Sequence, residues 1–87
     1  MPHPDGWNVI DGKRLRREWR FPDFASALGF VVEVGRMADE LGHHPDVELG
    51  WGRAAIEWTT HDAGGLTAND DEAARRTDAI AASHRKA

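Results

Sequence analysis

The sequence predicts an α+β fold: a single four-stranded antiparallel sheet with helices packed on one face, in the order β-β-α-β-β-α. Three features predict it. Apolar residues alternate with a period of two around an Asp11-Gly12 turn, a helical repeat fills the stretch from Asp23 to Leu41, and a second strand-like run leads into a second capped helix. Hairpins favour antiparallel pairing, and a sheet built from them buries one face beneath its helices. The 87 residues suit one domain, because two separate cores of half that length would each be too small to stand alone. Residues 1–6 and 83–87 read as polar tails that fray.

Taken in order, Trp7, Asn8, Val9 and Ile10 lead into Asp11-Gly12, the strongest short hairpin signal in the chain. Beyond the turn, Leu15, Arg17, Trp19 and Phe21 alternate with Arg14, Arg16, Glu18 and Arg20, which suits a strand with one buried and one solvated face; Pro22 ends it. Asp23 is the cap of the first helix, and Phe24, Ala27, Leu28, Val31, Gly35 and Ala38 mark the face expected to meet the sheet. Phe30, Val32, Met37 and Leu41 widen that apolar arc to about 200°, more than one core contact uses, so one edge is expected to pack on another subunit. Gly42 supplies the left-handed position that stops the helix, and Pro45 prevents its resumption.

Val47 to Thr60 is strand-like with a break near Gly50 or Gly52; Ala54, Ile56 and Trp58 share one face, and Ala55, Glu57 and Thr59 the other. Thr67 caps the second helix. Asp70, Asp71 and Glu72 fall in its first turn, where acids complement the dipole, and Ala73, Thr77 and Ile80 are expected to face the sheet.

Composition removes several function classes. The net charge is -4, with acids and bases interspersed, so the chain offers no basic surface to a phosphate backbone and nucleic acid is not an expected ligand. There is no cysteine, hence no disulfide framework and no thiolate zinc site; four Trp and three Phe supply much of the bulk for a core. No apolar run reaches the length of a membrane span. The start, Met1-Pro2-His3-Pro4-Asp5, lacks the basic and apolar regions of a secretory signal, so a cytoplasmic location is expected.

Of the five histidines, His3 and His84 lie in the tails and read as solvated. His43 and His44 stand just past the long helix and His61 just past the strand bearing Trp58, at element ends where scaffolds expose functional groups. Imidazoles there can exchange protons near neutral pH. The competing reading is local: His43 and His44 meet the last helical carbonyls, and His61 caps a strand. A three-histidine zinc site is not expected, because adjacent His43 and His44 diverge and the helical i, i+4 histidine pair is absent. Ser26 and Ser83 sit in ordinary helical contexts, and Gly64-Gly65 lacks the Lys and spacing of a phosphate loop.

The run Asp39-Glu40-Leu41-Gly42-His43-His44-Pro45, followed by Trp51, by Thr60-His61 and by Gly65-Leu66-Thr67 with Asp70, resembles the signature of the pterin-4a-carbinolamine dehydratase family. Gly6-Trp7-Asn8, Phe21-Pro22-Asp23-Phe24 and Gly29-Phe30 extend the likeness, which covers Gly6 to Ile80. The resemblance implies a hydro-lyase that converts 4a-hydroxytetrahydrobiopterin to quinonoid dihydropterin and water. It implies no cofactor, the pterin being the substrate, and assembly as a homodimer or homotetramer. It also implies that His43, His44 and His61 line the pterin pocket; His43 and His61 are expected to form the acid/base pair and His44 to orient the ring.

Asp39, one turn before His43, is expected to hold that imidazole in its useful tautomer, the alternative being a solvated carboxylate. Pro45, Thr60, Asp70, Trp7 and Trp51 complete the expected substrate-binding set. For the two tryptophans the alternative is the core, and for Asp70 it is capping of the second helix. Three departures from the family pattern stand out: Glu40 adjoins Asp39, Trp51 occupies a position where Tyr or another aromatic is usual, and few residues precede Gly6 where an additional helix is common. Proteins of this fold also serve as dimerisation partners of transcription factors and as assembly factors, so partner binding without catalysis is the competing expectation.

Overall fold

Asp11 and Gly12 both adopt positive φ, 56° and 69°, and the Lys13 N–H donates to the Ile10 carbonyl at 2.9 Å. Positive φ at both central residues is the mark of a type I′ turn, here inside a three-residue loop because Ile10 pairs with Arg14. The computed structural model describes residues 3–60 and 65–84. The hairpin joins β1 (Asn8–Ile10) to β2 (Arg14–Arg20), α1 (Phe24–Leu41) follows, then β3 (Asp46–Gly50), β4 (Arg53–Trp58) and α2 (Ala68–His84). All pairings are antiparallel and the spatial order is β1-β2-β4-β3, with Leu15 opposite Trp58 and Trp19 opposite Ala54 at the centre. The expected fold class is the observed one. Neither helix is long and apolar enough to cross a membrane.

The core lies between the sheet and the helices. Leu15, Trp19 and Phe21 of the first hairpin region and Ala54, Ile56 and Trp58 of β4 meet Ala27, Phe30, Val34, Met37 and Ala38 of α1 and Ala73, Ala74 and Ala81 of α2. Phe30 is its hub: its ring lies 5.0 Å from that of Trp19 and 5.1 Å from that of Phe21. This corrects the expected face of α1. Phe24 and Leu28 are about two-fifths exposed, as is Val32, while Phe30 and Val34 are fully buried. An apolar arc that wide has no unique centre, and the sheet takes the bulkier aromatic.

Arg17 lies on the helix side of β2, where its guanidinium meets Asp78 of α2 at 3.2 Å and stacks over Trp19. Trp7 is a core residue, edge-on to Trp19, with its indole N–H on the Asp78 carboxylate at 3.0 and 3.1 Å. His3 and His84 are not free in solvent. His3 Nδ1 lies 2.7 Å from the nearly buried Asp71, and His84, the last described residue of α2, lies 2.7 Å from Glu33 of α1 with its ring against Phe30. The opposite face of the sheet carries a chain of ion pairs, Arg14–Glu57–Arg16–Glu48–Arg53–Glu18, across all but the β1 edge.

Candidate active site

Two local signals place His43. Gly42 closes α1 in the left-handed conformation, φ 66°, with its N–H on the carbonyls of Ala38 and Asp39, and the next N–H, that of His43, also reaches Ala38 at 3.2 Å. The helix end is therefore satisfied by backbone, and the His43 ring is released from that task. The imidazole turns to the start of α2, where its Nε2 lies 2.6 Å from Asp70 Oδ1. A carboxylate accepts, so Nε2 carries the proton and Nδ1 is left as the nitrogen available for exchange.

Asp70 is fully buried and collects three donors. Besides His43, its Oδ2 accepts from the Thr60 hydroxyl at 2.6 Å and from the Thr67 N–H at 2.9 Å. Thr67 in turn accepts from the Asn69 N–H at 3.2 Å, and the Thr60 and Thr67 hydroxyls lie 3.1 Å apart. Thr67 and Asp70 thus form a reciprocal cap on α2, with an aspartate in the role more often filled by Glu or Gln. The capping alternative for Asp70 holds, and the same carboxylate also grips His43. No described buried side-chain polar atom lacks a partner.

One face of the His43 ring lies against Trp58, with centroids 5.4 Å apart and planes 30° from parallel. The indole is fully buried, and its N–H donates to Thr77 Oγ1 at 3.0 Å. Sequence reasoning assigned Trp58 only to a strand face. The signal that could have found it is the two-residue interval to Thr60 on an inward-facing register. A cavity of about 170 Å³ opens beside His43, lined also by Leu41, Gly42, Asn69 and Glu72. A larger one of about 500 Å³ adjoins His3, Thr67 and Asp71, but its titratable pair is closed on itself. The smaller cavity is the one that adjoins His43, one of the histidines singled out in the sequence.

Asp39 does not approach His43. It pairs with His44 instead, Oδ1 to Nε2 at 2.9 Å, and both side chains are largely exposed. Five residues of separation across the Gly42 turn bring those two together, while His43 is rotated toward α2. Pro45 and Thr60 are half-buried, and Trp51 stands at the β3–β4 turn with 74% of its surface exposed. Trp7 lies in the core with Trp19 and Asp78, among residues separate from those lining the His43 cavity. His61 falls outside the described residues. Among the described residues, no three His, Asp or Glu side chains converge as a metal site.

Comparison with known proteins adds an independent observation: the pterin 4 alpha carbinolamine dehydratase family model matches residues 1–80. The chain belongs to this family. A protein of Azoarcus sp. (strain BH72), provisionally named pterin-4-alpha-carbinolamine dehydratase, is 46% identical over 77 residues, spanning 87% of this chain and 66% of its own length. The chain thus spans about two thirds of that relative. A crystal structure of a transcriptional coactivator/pterin dehydratase from Brucella melitensis superposes with a TM-score of 0.82 at 36% identity, covering 88% of this chain and 83% of the other. A pterin dehydratase-like protein identified as a RuBisCO assembly factor in the alpha-carboxysome superposes at 0.76 with 21% identity over 92% and 94%, which shows a shared fold.

Proposed function

We propose that this chain dehydrates a 4a-hydroxytetrahydropterin, giving the quinonoid dihydropterin and water. The supporting observation is the His43 imidazole pinned through Nε2 to a fully buried carboxylate with Nδ1 left for proton exchange, in a chain that belongs to the dehydratase family. The reaction needs one proton delivered to the departing 4a-oxygen and one removed from N5; the C4a–O bond breaks and a C4a=N5 double bond forms. His43 and His61 act as the acid and base, one on each proton. His61 follows Thr60 directly, and the Thr60 hydroxyl lies on the carboxylate that holds His43, which supports their proximity. His44, held lightly by Asp39, orients the pterin; Pro45 and Trp51 form the proposed rim, Asp70 acts through His43, and Trp7, a core residue away from the His43 cavity, leaves the proposed set. The reaction as proposed runs on protein side chains alone in the cytoplasm.

The exposed apolar row Phe24, Leu28 and Val32, four residues apart on α1, supports assembly as a homodimer or homotetramer. Sedimentation equilibrium reads this directly, with a monomeric mass at micromolar concentration as the overturning result. The activity is tested with freshly generated 4a-hydroxypterin: purified protein should accelerate its conversion to the quinonoid form over the buffer rate. Failure to do so, with stoichiometric recovery of a protein partner, would favour the assembly role instead.

A further inference from the structure

We propose that Trp58 is a positioning residue for His43, locking the imidazole's orientation by stacking while Asp70 holds its edge; the proposal deepens the catalytic reading above and rests on it. His43 comes from the end of α1 and Trp58 from β4, yet both are tied to α2. Asp70 holds His43 Nε2 at 2.6 Å, and Thr77 accepts the Trp58 indole N–H at 3.0 Å. Residues 70 and 77 are seven apart, two helical turns, so they share one face of α2 about 10 Å apart along its axis. The helix acts as a ruler with two marks, one for each ring. Thr77 is itself fixed, its hydroxyl donating to the Ala73 carbonyl at 2.7 Å, and both Thr77 and Trp58 are fully buried.

A single hydrogen bond fixes the position of one ring atom but leaves the plane free to swing about it. Contact with an indole face 5.4 Å away and 30° from parallel removes that freedom on one side. The His43 side chain keeps 20% exposure and lines the adjoining cavity, which is where solvent and substrate can reach it. An indole face also accommodates a cationic ring better than an aliphatic surface does, so the stack persists whichever protonation state His43 visits in turnover. An aliphatic residue at 58 would fill the core and lose this function. That separates positioning from packing.

The test compares Trp58→Leu, which keeps an apolar filler, with Trp58→Phe, which keeps an aromatic face, in the full chain labelled with ¹⁵N-histidine. In the parent, the His43 ring protons should be displaced upfield by the indole, and the ring nitrogens should report one tautomer with the proton on Nε2. Trp58→Leu should remove the displacement, mix the tautomers and lower kcat by roughly tenfold with KM within about twofold, and Trp58→Phe should restore most of both. Unchanged His43 resonances in Trp58→Leu, or equal damage from Leu and Phe, would overturn the proposal. Should the Leu variant fail to fold, Thr77→Val frees the indole N–H, at the cost also of the Thr77 hydroxyl bond to the Ala73 carbonyl within α2, and is read by the same resonances: a partial shift supports the proposal and none overturns it. A parent protein without turnover sinks the dehydratase reading, while the resonances still decide the role of Trp58.

Discussion

At the scale of single residues, the site is defined by which carboxylate faces which imidazole. His43→Ala and His61→Ala should each lower turnover by roughly 100- to 10,000-fold, the contribution of a positioned acid or base. His84→Ala should leave turnover near the parent value and instead lower thermal stability, because His84 joins α2 to Glu33 and Phe30 of α1. Initial rates on 4a-hydroxypterin check this, and equal losses in all three variants would remove the proposed roles. The sequence marked His43, His44 and His61 by their place at element ends; the structure describes the first two, which face different carboxylates. The partner of His43 was not legible in the sequence. Asp39 is the natural candidate by spacing, but the left-handed Gly42 turns the next residue out of the helical phase on which that spacing depends. Asp70 was legible as a cap, from its place three residues after Thr67, whereas its burial depends on how α2 is rotated about its own axis. Successive residues differ by about 100° around a helix, so Asp70 and Asp71 serve different histidines, His43 and His3.

At the scale of elements, the caps carry the precision of the site. Gly42 meets nothing within 4 Å of the position a Cβ would take, so Gly42→Ala introduces no clash and its effect is conformational. We expect a loss of about 1 kcal/mol, a fall in Tm of about 4–8 °C, read by thermal unfolding. Asp70→Ala should be harsher, about 3–5 kcal/mol, since it strips a buried partner from His43, Thr60 and the α2 cap together. The tie between α2 and the sheet makes a pH prediction. Burial, chiefly, raises the Asp78 carboxyl above its ordinary value, outweighing the indole N–H of Trp7 and the charge of Arg17. A raised folded value means stability present below the ordinary value of 3.8 and lost as pH rises through the folded one. Asp78→Asn should therefore gain on the parent between pH 3 and neutrality in urea unfolding; a gap that moves the other way would mean Arg17 outweighs burial. Strand and helix positions were legible from their periods of two and 3.6, and both hairpins from their turn residues. The facing of α1 was not, because eleven apolar residues on one helix leave the choice to whatever the sheet presents, here Trp19 and Phe21 around Phe30.

At the scale of the whole molecule, the two faces of the sheet obey different physics. The inner face is held by apolar burial, which charge screening does not weaken, whereas the outer face is a lattice of guanidinium and carboxylate groups that salt screens. Glu48 is its junction. Its oxygens accept from Arg16 at 3.1 Å twice and from Arg53 at 3.1 Å, and these contacts, with Arg16 the larger cause, hold its carboxyl below the ordinary value of 4.5. Glu48 first, and Glu57 with it, hold the Arg16 guanidinium above its own ordinary value. A lowered carboxylate adds stability above its unfolded value and loses it as pH falls through the folded one. Glu48→Gln should thus be less stable than the parent at pH 7 and low salt, and the difference should shrink both below pH 4 and in about 1 M NaCl, where the screening length is about 3 Å. Glu57 bridges Arg14 and Arg16 with little exposure, so part of the lattice should survive salt even when the Glu48 contribution is gone. Chemical unfolding over a grid of pH and salt reads both dependences. A deficit in Glu48→Gln that persists at pH 3 or in high salt would mean that the substitution acts through packing, and that the outer lattice contributes no electrostatic stability to the sheet supporting the site.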